Sequence, residues 1–117
     1  MKRGNIWIAS GGAHYASKPR PFVIIQDDAF GGTDSITICP FTTEALNIPL
    51  FRLVVEPNEL NGLRSISFIM VDKVTSIPKT KLGMRIGRLD DRVVLRLNAA
   101  VLVFLGLAGS PRMQPTG

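Results

Sequence analysis

The chain is poor in the residues that build covalent or metallic frameworks. It has one cysteine, Cys39, and one histidine, His14. A lone cysteine excludes an internal disulfide framework and a cysteine-built zinc cage, and a single histidine leaves a His-ligated metal centre short of ligands. Carboxylates are few as well, nine against fourteen Lys and Arg. Five of the nine stand in the pairs Asp27–Asp28 and Asp90–Asp91 or alone at Asp34, a poor basis for a carboxylate cage. The expectation is a site without metal or cofactor. Long apolar runs are missing too. The most apolar stretch, Leu97 to Ala108, is shorter than the roughly 20 residues a spanning helix needs. Nothing after Met1-Lys2-Arg3 reads as a signal peptide. A cytoplasmic protein with no membrane attachment is expected.

What is present suits one folded domain. Of 117 residues, 45% are hydrophobic and 20% charged, enough apolar material for a core without staples. The domain is expected over residues 1–108, with a flexible tail at 109–117. A net charge of +5 favours a polyanionic or acidic partner, because a basic surface steers phosphates and acidic peptides toward it.

Strand signals fill the first two thirds. Asn5–Ala9 is a short β-prone run, and Gly11-Gly12 opens a loop that continues to Pro19. Pro21–Gln26 is continuously apolar, as in a strand covered on both faces. The turn cluster Gly31–Asp34 joins it to the β-branched run Ser35–Phe41, so a hairpin is predicted. Phe51–Val55 alternates as a strand with one wetter face does. Asn61-Gly62 supplies a tight turn before another strand, Ser65–Val71. Val74–Ile77 and Met84–Leu89 carry basic residues and read as edge strands or extended connections. Asp90-Asp91 sits where helix-starting acids belong. Val93, Leu97, Ala100, Val101, Phe104 and Leu105 then follow at helical spacing, with Gly106 or Gly109 as the stop. The fold class is α+β and β-dominated, a small sheet domain closed by a C-terminal helix.

Four segments point to one family. Met1-Lys2-Arg3-Gly4-Asn5-Ile6-Trp7 resembles the K-R-G-D-I/V-W opening of MazF/PemK toxins. Lys18–Asp28 is similar to their K-x-R-P signature strand, and Cys39–Thr43 to their V-P-x-T-T/S strand end. Gly62–Ile77 resembles their G-L…S…D/E-Q-V/I-x-T-I segment. The resemblance spans roughly residues 1–107, in order and at compatible spacings. It implies an SH3-like small barrel of antiparallel strands with a C-terminal helix, assembled as a homodimer. It also implies a type II toxin that cuts single-stranded RNA without metal and is blocked by the acidic C-terminal segment of a cognate antitoxin. The catalytic residues it implies are Arg20, from the R-P motif, and Thr42, the first threonine of the pair.

Those residue types suit the reaction. Without metal, the ribose 2′-OH attacks its own phosphate, which explains RNA over DNA. Negative charge gathers on the non-bridging oxygens. A guanidinium presents a planar, permanently charged fork to such oxygens, and Thr42 can add a hydroxyl bond. Charge stabilisation is therefore the role expected of Arg20, rather than proton abstraction.

Other residues carry paired readings. His14 and Tyr15 stand in the Gly11–Pro19 loop, which lines the RNA groove in the family. There His14 would shuttle a proton and Tyr15 stack on a base; otherwise both are exposed loop residues. Lys18, Thr43, Ser67 and Lys73 are further candidates for RNA contact, against the plainer readings of surface lysines, a strand-end threonine and a strand serine. Seven basic residues between Lys73 and Arg96 either track phosphates or form a solvated face. Trp7 reads as a core or interface anchor, and Cys39 as a small buried hydrophobe. Two other functions compete with RNA cleavage: a gyrase poison of the related CcdB type, and a catalytically silent binding module. The tail beyond Phe104-Leu105-Gly106 and the presence of both R-P and T-T favour the nuclease.

Overall fold

The structure, a computed structural model, describes residues 1–10, 20–45 and 51–109. Seven strands run in chain order: β1 (Asn5–Ala9), β2 (Pro21–Ile24), β3 (Ser35–Thr42), β4 (Arg52–Val55), β5 (Ser67–Met70), β6 (Thr75–Pro78) and β7 (Leu82–Arg88), before the helix α1 (Asp91–Phe104). All pairings are antiparallel. The sheet order is β4-β5-β3-β2-β1-β7, and β6 pairs with β3 off this path.

Strand β3 is the hub. Its first half, Ser35–Ile38, pairs with β6, and its end, Phe41-Thr42, pairs with β5. Pro40 falls between these two ladders, where a residue without an N–H does least harm. Alternation along β2 and β3 then feeds two cores. Val23, Cys39 and Phe41 join one cluster with Ile6, Ile69 and Leu97. Phe22, Ile24, Ile36 and Ile38 form a second, covered by Trp7, Ala9, Ile77 and Leu82. The predicted hairpin and the two covered faces are both present.

The barrel implied by the family resemblance is not completed by strand pairing. Among the described residues, β4 and β7 stand at the two ends of the sheet and are not laddered to each other. The turn between β4 and β5 fills the gap instead. The Arg88 N–H donates to the Leu60 carbonyl at 2.9 Å. Glycines make that approach possible: a Cβ on Gly87 would lie 2.3 Å from the Leu60 carbonyl oxygen, and one on Gly62 would lie 2.1 Å from that of Ile86. Gly62 also has φ +68°, the left-handed region that glycine alone occupies at little cost. Asn61, 1% exposed, organises the turn from inside. Its amide donates to the Glu56 carbonyl, and its oxygen accepts from the N–H groups of Asn58 and Leu63. The Asn61-Gly62 pair is thus a tertiary contact as well as a turn.

Helix α1 begins where its acids predict. The Asp90 carboxylate accepts from the Val93 N–H at 3.0 Å, and Asp91 occupies the first turn. Gly106, at φ +77°, ends the helix, and Leu107 and Ala108 donate back to the Leu102 carbonyl. Leu97 is buried, with Val93, Val94, Ala100 and Val101 packed around it. The inward stripe is narrower than the spacing predicts. Phe104 is exposed beside Phe51, with a tilted ring contact at 5.4 Å between centroids, and Leu105 is exposed too. Leu95, Leu102, Val103 and Leu107 are exposed as well.

Cys39 is fully buried, and burial pushes its thiol up from 9.0 to about 12, with Arg3 opposing and Asp72 adding to the effect. A raised folded-state value keeps the proton on when the unfolded chain has lost it. Stability therefore falls as pH rises from 9 toward 12, and is unaffected by this group below that window. Urea midpoints at pH 8, 9.5 and 10.5 should decline for the native chain more than for Cys39→Ala; parallel declines would refute it.

Candidate active site

Three neighbouring strand ends build the site. In the β2–β3 ladder, Ile24 faces Ile38, Val23 faces Cys39 and Phe22 faces Pro40. Beyond that last pair, Arg20 leads into β2 and Thr42 ends β3, and both line the same cleft. On the other edge of β3, Phe41 faces Ile69 and Thr42 faces Phe68, with Thr43 just after the end of β3 and Ser67 at the start of β5. Arg20, Thr42, Thr43 and Ser67 all line one cleft of about 780 Å³. Strand pairing, fixed by which residues are buried on each face, thus carries four residues from three segments to one cleft.

The local chemistry of each is legible. Thr42 is 5% exposed, and its hydroxyl oxygen accepts from the Glu44 N–H at 3.2 Å. That bond orients the oxygen, and among the described residues no acceptor takes its O–H. Ser67, also buried, donates to the Ser65 carbonyl at 3.0 Å, which holds the entry to β5. Arg20 is exposed at the start of β2, ahead of Pro21. Apolar side chains complete the walls: Ile8, Pro21, Phe41, Leu63, Ile86 and the exposed Met84. A guanidinium beside an apolar wall acts on an anion through less screening water than on an open surface.

Among the described residues, the two charged ones of the lining are both cations, Arg20 and Arg64. Motif spacing drew attention to the first and missed the second. Arg64 follows the buried Leu63 and precedes Ser65, both of which also line the cleft. An exposed arginine directly after a core leucine and an Asn-Gly turn was the available signal. The seven basic residues from Lys73 to Arg96 do not line it. Lys73 ends the short 3-10 turn Val71–Lys73, which packs against α1, so the structure does not bring it to the other candidates. The neighbouring Asp72 pairs with Arg52 at 3.3 Å. His14, Tyr15 and Lys18 lie outside the described residues, as does the tail from Ser110. Among the described residues, no three His, Cys, Asp or Glu side chains come together as metal ligands would.

Comparison with known proteins gives a consistent result. The family model described as "PemK-like, MazF-like toxin of type II toxin-antitoxin system" matches residues 2–105. A protein of Mycolicibacterium smegmatis named "Probable endoribonuclease MazF" is 47% identical over 109 residues, covering 93% of this chain and all of that protein. Among solved structures, the Mycobacterium tuberculosis toxin MazF-mt6 superposes with a TM-score of 0.73 at 25% identity, covering 90% of this chain and 99% of that one. A mycobacterial endoribonuclease solved with its cognate antitoxin gives 0.76 at 20% identity, over 94% and 99% of the two chains, and so shows the same fold.

The glycine contact that walls the cleft is open to test. Gly87→Ala should lower stability by about 1–3 kcal/mol, as overpacking against backbone does. Gly32→Ala, with nothing within 4 Å of the added methyl, should be near neutral. Equal urea midpoints for the two variants would contradict the packing described.

Proposed function

Because this chain belongs to the PemK-like, MazF-like toxin family of type II toxin–antitoxin systems, we propose that its Arg20–Thr42 cleft is where it cuts single-stranded RNA. The chain is an endoribonuclease toxin. The observation that supports this reading is that Arg20 and Thr42 line one cation-bearing hollow from the ends of the paired strands β2 and β3.

The reaction needs few parts. The 2′-OH attacks the adjacent phosphorus, the P–O5′ bond breaks, and the products carry a 2′,3′-cyclic phosphate and a 5′-hydroxyl. Arg20 neutralises the charge that grows on the non-bridging oxygens, where a fixed cation lowers the barrier most. The O–H of Thr42 donates to the same phosphate. Neither role requires a metal ion. Thr43 and Ser67 contact the flanking nucleotides.

Two partners accompany this reading. One is a second copy of the chain: Leu95, Leu102, Val103, Leu105 and Leu107 leave α1 with more apolar surface than a lone small domain usually exposes. The other is an antitoxin whose acidic segment competes for the cationic cleft. No helix among the described residues is long and apolar enough to cross a membrane. We place the toxin in the cytoplasm with its RNA.

Purified protein incubated with a long single-stranded RNA in EDTA should yield discrete fragments with those two end groups. Arg20→Ala and Thr42→Ala should each reduce cleavage at least 100-fold, on the scale of losing one transition-state donor, and a polyacidic peptide should slow the native chain. Intact RNA, or fragments persisting in both variants, would end the assignment. Sedimentation at micromolar concentration should give twice the single-chain mass; a single-chain mass would remove the dimer.

A further inference from the structure

We infer that Arg64 holds a second phosphodiester of the bound strand, beside the one gripped by Arg20. The inference rests on the reading of the cleft as the RNA site.

Its first support is placement. Arg64 and Arg20 line the same hollow from different segments, the turn before β5 and the start of β2. A volume of about 780 Å³ is far more than one phosphate group fills. Two guanidiniums sharing a single phosphate would leave the neighbouring phosphates in the cleft without a cationic partner, whereas two on successive phosphates fix a strand in both position and direction.

The second support is the backbone beneath it. An arginine that merely decorates the surface needs no fixed mount. Arg64 has one on each side: Leu63 is buried in the main core, with its N–H bound to Asn61, and the Ser65 carbonyl is held by the Ser67 hydroxyl. Behind these, Gly62 and Gly87 let the turn rest directly on β7. The side chain itself is exposed, and among the described residues no hydrogen bond or carboxylate engages it. A rigid mount and an uncommitted guanidinium are what a preorganised phosphate clamp requires. A lysine there would offer a point charge without the planar fork.

Salt dependence separates this role from a structural one. With initial cleavage rates of a long RNA measured across sodium chloride concentrations, each phosphate contact adds about 0.7 to the log–log slope for single strands. Arg64→Ala should flatten the slope by about 0.7 and raise KM about tenfold, with kcat changed less than about twofold. Arg64→Lys should keep the slope with an intermediate KM. A native slope in Arg64→Ala, or a loss confined to kcat, overturns the proposal. If Arg20→Ala is inactive while Arg64→Ala matches the native chain throughout, this inference alone falls. If Arg20→Ala and Thr42→Ala both cleave normally, the cleft reading falls and takes this one with it.

Discussion

Two stretches of backbone, the Leu60–Gly62 turn and β7, meet with no side chain between them, and much of the molecule hangs on that meeting. The sheet's end strands do not ladder, so its open side is shut by a turn. Shutting it this way buries peptide groups, and buried peptide groups must be paired. Asn61 answers that requirement with three hydrogen bonds from a single side chain. Leu63 then drops into the core and Arg64 emerges into the cleft. One contact settles closure, core and site wall together.

The opposite wall follows from a different constraint. Both faces of β2 and β3 are covered, so a one-residue slip would exchange the contents of two cores. A register held that firmly also holds whatever lies just beyond it. Arg20 and Thr42 come to one cleft while Phe22 and Ile38 are buried on one side of the paired strands and Val23 and Cys39 on the other. The cleft sits at the strand ends, where the scaffold is rigid and water still enters.

Much of this was legible in the residues. The continuous apolar run at Pro21–Gln26 announces a two-faced strand, and Asp90-Asp91 announces the helix start, because both signals are local. That Arg20 and Thr42 share a cleft was suggested only by resemblance to a family, since register depends on burial that no window of sequence displays. Arg64 escaped notice for the same reason: Asn61-Gly62 reads as a turn, but its packing against Gly87 joins residues more than twenty apart. The outer apolar face of α1 was misjudged at Leu105, because helical spacing predicts which residues share a side and not how far the sheet reaches beneath them.

Cys39 has a practical side. The chain's single thiol is enclosed and reluctant to ionise. A maleimide fluorophore would therefore find a cysteine introduced at Met84, 63% exposed on the cleft rim, without the native thiol having to be removed. One substitution turns the protein into a singly labelled optical reporter of what enters the hollow.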